Sequence, residues 1–230
     1  MEDHRIRIKI CGITNEKEAE WLNEEKADFA GFVLFFQKSR RNISVEKAMK
    51  IMGSLDPGIK TVAVTVEPSL AEITKIRQAG FDYVQIHGKV DEAVLSQASI
   101  PILKAFNGSD FSEFETYRND PRIAGYVFDA QMPGSGVRSD WEMLRQIMSG
   151  SKDGSGQSWE SFLKGEQEKG KIILLAGGLT PDNVMEAIRE TKVPGVDVSS
   201  GVENDDGIGK NKEKIRRFIQ QTRMITNGCV

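Results

Sequence analysis

An α/β fold, with eight parallel strands closed into a single (β/α)8 TIM barrel, is what the sequence predicts, on three observations. Short apolar runs alternate with helical spacing eight times, an order that favours a parallel sheet. The 230 residues match the usual length of one such barrel, and 39% hydrophobic content can fill its core. Two successive strand-then-glycine units, 172–178 and 195–201, form the third. They fall where barrels of this type hold phosphate, in the loops after strands seven and eight.

Taken in order, residues 7–11 alternate polar and apolar, so Ile8 and Ile10 should face the surrounding helices while Lys9 and Cys11 point inward. Thr14-Asn15 followed by Glu18 resembles a capping box opening a helix to about residue 26. Strand two is expected over 29–36, and the basic loop Lys38-Ser39-Arg40-Arg41 leads to a helix over 44–53. Strand three follows at 60–65, then a helix start marked by Pro68, Ser69 and Glu72. Strand four, 83–86, ends at His87-Gly88, and a short acidic helix covers 91–96. Strand five is 102–106, Asp110 and Glu113 flank the next helix start, and strand six is 125–129. Asp140-Trp141 should open helix six, with Asp140 as its N-cap. The stretch 149–170, rich in Gly, Ser, Lys and Glu, reads as a flexible insertion between helix six and strand seven, in which Trp159 and Phe162 anchor a short helix. Strand seven is 172–176; beyond Gly177-Gly178, Thr180 offers an N-cap, Pro181 a first helical residue, and 183–191 helical spacing. Strand eight, 195–198, runs into Ser199-Ser200-Gly201. No longer-period repeat is evident, and one domain spanning 1–230 is expected.

Net charge of −3 argues against broad binding to nucleic acid or to an anionic membrane, so any grip on phosphate must be local. Only Cys11 and Cys229 occur, which makes a disulfide framework improbable and a reducing cytoplasm the expected compartment. No apolar run approaches the ~18 residues a membrane span needs, and the N-terminus lacks a signal-peptide core.

Several inward positions at the C-terminal strand ends could do chemistry. Cys11 is either a packed small residue or a thiol whose thiolate form is favoured by Lys9 two positions back. Lys9 needs a partner inside a barrel, and Asp197 on neighbouring strand eight is the obvious one, in a pair that could be purely structural. Asp129 closes strand six, where a carboxyl reads as catalytic or as a loop cap. Arg41 could clamp a carboxylate or simply be solvated. Gln85 and His87 end strand four as supporting groups. Gly177, Gly178, Ser199, Ser200 and Gly201 offer free N–H groups and hydroxyls to an anion without net positive charge. His4 is expected to be an end residue with no role.

These segments carry a family resemblance. KICGIT (Lys9 to Thr14), VQIHG (Val84 to Gly88), the aspartate of VFDA, GSG with SDW (Gly134 to Trp141), LAGGLTPDNV (Leu175 to Val184) and GVDVSSGVE (Gly195 to Glu203) occur in order over about 195 residues. Together they resemble the phosphoribosylanthranilate isomerase family of tryptophan biosynthesis. The resemblance implies a metal-free, cofactor-free Amadori rearrangement of N-(5′-phosphoribosyl)anthranilate to 1-(2-carboxyphenylamino)-1-deoxyribulose 5-phosphate. It implies Asp129 as the acid that protonates the ring oxygen, Cys11 as the base at C2′, and Arg41, matching the family's loop arginine after strand two, at the anthranilate end.

The expected partner is a small phosphosugar ligand, with neither nucleic acid nor membrane, and the chain is expected to be a monomer or homodimer. Lys9 and the site's field are expected to lower the Cys11 thiol, and burial to raise the Asp129 carboxyl. The chain departs from the family pattern in three places. Ser39-Arg40-Arg41 replaces Ser-Pro-Arg, leaving either arginine as the binder. Pro133 stands for a usual glycine and Ser139 for a usual aromatic. Asp206-Gly207 replaces Pro-Gly. The competing readings are another phosphosugar aminoaldose–ketose isomerase, including one for the histidine-pathway aminoaldose, and a non-catalytic phosphate-binding paralogue. A bisphosphorylated substrate would want a second glycine-rich cup, which the sequence lacks.

Overall fold

The computed structural model describes residues 5–107, 113–129 and 158–226. Eight parallel strands pair in sequence order and close, β8 against β1: β1 Arg7–Cys11, β2 Phe29–Val33, β3 Lys60–Val66, β4 Tyr83–His87, β5 Ile102–Asn107, β6 Ile123–Asp129, β7 Ile172–Ala176 and β8 Gly195–Val198. The helices described are α1 Glu16–Glu25, α2 Val45–Met52, α3 Leu70–Gln78, α4 Glu92–Gln97, α5 Phe114–Arg118, α6 Trp159–Glu168, α7 Val184–Thr191 and α8 Lys212–Thr226.

Strand parity sorts the core into two layers, as the alternation in residues 7–11 requires. Ile8, Ile10, Tyr126, Phe128, Ile173 and Leu175 belong to the layer between barrel and helices. Cys11, Val127, Leu174 and Ala176 belong to the layer filling the barrel. Helix starts follow local chemistry. Ser69 and Glu72 cap α3 reciprocally, and Ser44, Asp91 and Ser158 cap α2, α4 and α6. At α1 the N-cap is Asn15, accepting from Glu18 N–H, while the Glu18 carboxylate reaches back to the Thr14 N–H at 2.7 Å.

The short helix expected at Trp159 and Phe162 is α6, with Trp159, Phe162, Leu163 and Glu166 buried on one face at i, i+3, i+4, i+7 spacing. Residues 149–157, Pro133-Gly134-Ser135-Gly136, Asp140, Asp110, His4 and Cys229 lie outside the described residues. After β7, Thr180 and Pro181 precede α7 instead of starting it. The N-cap is Asn183, whose side chain accepts from Thr180 N–H and donates to Gly178 O. The amide thus ties down the glycine loop it follows.

At the opposite face Asp28 accepts from Ile8 N–H and Arg223, pinning the bottom of β1 to α8. Such anchoring away from the strand C-termini serves stability.

Candidate active site

A cavity of about 540 Å³ opens at the C-terminal ends of the strands, and Cys11, Asp129, Arg41, Gly178, Asp197 and Ser199 all line it. Gln85, His87, Gly177 and Ser200 line it as well. Lys9 stands behind the thiol, fully buried. Gly201 lies off the cavity, where an added Cβ would sit 1.9 Å from Leu179 O. It is the point where the loops after β7 and β8 touch, so only hydrogen fits. Gly177 and Gly178 both hold positive φ, 92° and 64°, a backbone that L side chains adopt with strain.

Cys11 ends β1 in register with Gly31 of β2. A Cβ on Gly31 would meet the Cys11 sulfur at 2.9 Å and Lys9 Cε at 3.1 Å. Glycine at 31 therefore makes the room in which thiol and ammonium lie side by side. Lys9 and Asp197 are register partners across β1 and β8, and Nζ donates to Asp197 Oδ2 at 2.7 Å. The other oxygen, Oδ1, is buried with no hydrogen-bond partner. Burial alone would lower the Lys9 pKa; the Asp197 carboxylate and neighbouring Cys11 outweigh it, and Lys9 is raised and stays protonated.

The thiol goes against the expectation. Burial pushes Cys11 above its ordinary value of 9.0, and the opposing pull of Lys9 and Lys210 falls short, Asp197 acting in the same direction as burial. The sequence showed the cation two residues away but not the completeness of the enclosure.

In the loop after β2 the two arginines separate. Arg41 lines the cavity, with a quarter of its side chain exposed, while Arg40 is 56% exposed on the rim. Both donate to Glu203, Arg41 through Nε at 2.5 Å to Oε1 and Nη2 at 3.0 Å to Oε2, Arg40 through one nitrogen at 2.5 Å. The Arg41 stem passes over Gly12 (φ +82°), where a Cβ would meet its Cδ at 2.5 Å. Gly12, Gly31 and Glu203 carry no role in the sequence reading. Gln85 Nε2 and His87 Nε2 are 2.9 Å apart, and Gln85 Oε1 is buried without a partner. Among the described residues no group of three or more His, Cys, Asp or Glu could hold a metal ion, and no helix is long and apolar enough to cross a membrane.

A closed barrel with glycine and serine loops at the ends of β7 and β8, and ionisable groups around a shared mouth, is the architecture of a phosphate-recognising (β/α)8 enzyme. The family model described as N-(5′-phosphoribosyl)anthranilate (PRA) isomerase matches residues 8–221. The N-(5′-phosphoribosyl)anthranilate isomerase of Geotalea uraniireducens is 36% identical over 222 residues, covering 94% of this chain and 98% of the relative. Among solved structures, phosphoribosyl anthranilate isomerase from Thermotoga maritima superposes with a TM-score of 0.73 at 31% identity, covering 94% of this chain and 98% of that one. A phosphoribosyl anthranilate isomerase in complex with reduced 1-(o-carboxyphenylamino)-1-deoxyribulose 5-phosphate superposes at 0.70 with 30% identity and the same coverage. The chain belongs to the N-(5′-phosphoribosyl)anthranilate isomerase family.

Proposed function

We propose that this chain isomerises N-(5′-phosphoribosyl)anthranilate, an aminoaldose, to its 1-deoxyribulose aminoketose in tryptophan biosynthesis, with Cys11 as general base and Asp129 as general acid. The observation that carries the assignment is that β1 and β6 direct these two groups into one cavity, which the glycine and serine loops after β7 and β8 also line. A phosphate held by N–H groups and hydroxyls of those loops fixes the sugar between the two walls. The Asp129 carboxyl donates its proton to the furanose ring oxygen as the C1′–O bond breaks, leaving a protonated Schiff base. The Cys11 thiolate removes the C2′ proton, and the electron pair flows to the nitrogen to give an enolamine. Ketonisation then places the carbonyl at C2′ and a new C–H bond at C1′, so no electron leaves the substrate and no redox cofactor is called for.

Arg41, the arginine on the cavity side, is the group for the anthranilate carboxylate. The phosphosugar is the small-molecule partner, and the cytoplasm is the compartment where its pathway supplies it. Adding purified protein to fluorescent phosphoribosylanthranilate should quench its emission with saturation kinetics. A bulky side chain at Gly178 should raise KM far more than it lowers kcat. No quenching by the wild type would overturn the reading, and quenching only of the histidine-pathway aminoaldose would redirect it to that sister reaction.

A further inference from the structure

The Glu203 side chain, 4% exposed, receives three cations at once: Arg40, Arg41 and Lys210, the last through Nζ at 3.1 Å. Its backbone is fixed by an antiparallel bridge to Lys210 just after the tight turn Ser200–Val202. Burial would raise this carboxyl, but Arg41 and Lys210 outweigh it and hold the pKa at about 2, so Glu203 is an anion throughout the working range. Burial pushes Lys210 the other way, below the ordinary lysine value, against the pull of Glu203.

The bonds run in one direction across the mouth. Arg41 spends Nε and Nη2 on Glu203, and its Nη1 makes no hydrogen bond among the described residues. Lys210 Nζ also donates to Ser199 O at 3.1 Å and lies 3.4 Å from Ser199 Oγ. Ser199 Oγ donates in turn to Cys11 O at 3.0 Å. One carboxylate thus joins the loop after β2, the serine loop after β8 and the end of β1, although Arg41 and Glu203 are 162 positions apart in the chain. Three cations on one anion leave the cluster net positive beside a substrate that carries a phosphate and a carboxylate.

We propose that Glu203 is a positioning residue for the isomerisation: it fixes the Arg41 guanidinium at a set distance from the phosphate loop, so that both charged ends of one substrate are met at once. The inference rests on the isomerase reading and on Arg41 meeting the aryl carboxylate. Its energetic content is preorganisation, since an arginine free to rotate must be ordered each time substrate binds.

The test is a double-mutant cycle on the full-length protein, using Glu203→Gln, Arg41→Ala and the pair, with the reduced aminoketose analogue and inorganic phosphate as probes. Glu203→Gln should weaken analogue binding and raise KM at least about tenfold, the scale of a charge-assisted hydrogen bond. Phosphate alone should bind within about twofold of wild type, as expected for a probe that shares no group with Arg41. In the Arg41→Ala background Glu203→Gln should add almost nothing. Equal losses with and without Arg41, or equal losses for both probes, would overturn the proposal. Should Glu203→Gln fail to fold because Lys210 loses its counter-ion, Glu203→Gln with Lys210→Met removes both buried charges and must show the same dependence on Arg41. Wild-type turnover with Glu203→Gln unchanged would sink this inference alone, whereas absence of wild-type turnover would sink the isomerase reading.

Discussion

Replacing Asp197 by Asn interrogates the charge balance around the thiol. Lys9 is fully buried, and the Asp197 carboxylate at 2.7 Å is the main force keeping it protonated against burial. Removing one partner of a buried pair costs about 3–5 kcal/mol, which for a chain of this size lowers Tm by roughly 10 °C. Lys9 then sheds its proton, and two influences on Cys11 disappear together. The pull of Lys9 on the thiol exceeds the opposing push of Asp197, so losing both should raise the thiol further. The assay is the pH dependence of iodoacetamide alkylation in a Cys229→Ser background, followed beside thermal unfolding. The wild-type midpoint should lie above the ordinary thiol value of 9.0 and the Asp197→Asn midpoint higher still. A midpoint that falls would mean Lys9 keeps its charge without Asp197 and would refute the reasoning. Substituting both members, Lys9→Met with Asp197→Leu, should recover most of the lost stability, because the cost lies in the orphaned charge.

Further predictions concern the packing and the rim. Gly31→Ala should displace the thiol, since the new methyl would stand 2.9 Å from sulfur; kcat should fall at least about tenfold for a misplacement near 1 Å, while phosphate affinity holds. Gly201→Ala, with its methyl driven into Leu179 O, should instead lower Tm and phosphate affinity together, measured by unfolding and by phosphate titration. Glu203 has a folded pKa of about 2 against an ordinary 4.5, so its contribution is fully present above about 4.5 and is lost as pH falls toward 2. Allowing for solvent screening, this amounts to about 2 kcal/mol, and acid unfolding of Glu203→Gln should show a correspondingly shallower pH dependence between those values.

The architecture was legible wherever local pattern decides it. Parity in residues 7–11 placed Lys9 and Cys11 inward, and cap residues such as Ser44, Ser69 and Asp91 marked helix starts that the structure keeps. What escaped has a common cause in long-range context. Thr180 and Pro181 carry strong helix-start chemistry, yet the glycine loop requires Asn183 to bind back to Gly178, which delays α7. The rise of the Cys11 thiol depends on enclosure by walls from other strands, which sequence proximity to Lys9 does not reveal. Glu203 and Arg41 meet only because the barrel closes and brings the loop after β8 beside the loops after β1 and β2.

The division of labour between β1 and β6 is tested most directly by turnover of phosphoribosylanthranilate by wild type, Cys11→Ser and Asp129→Asn, alongside their affinity for the reduced aminoketose analogue. Loss of a general base or acid should lower kcat about 10²–10⁴-fold in each variant while analogue affinity stays near that of the wild type. Either variant turning over at the wild-type rate would contradict the assignment of base and acid.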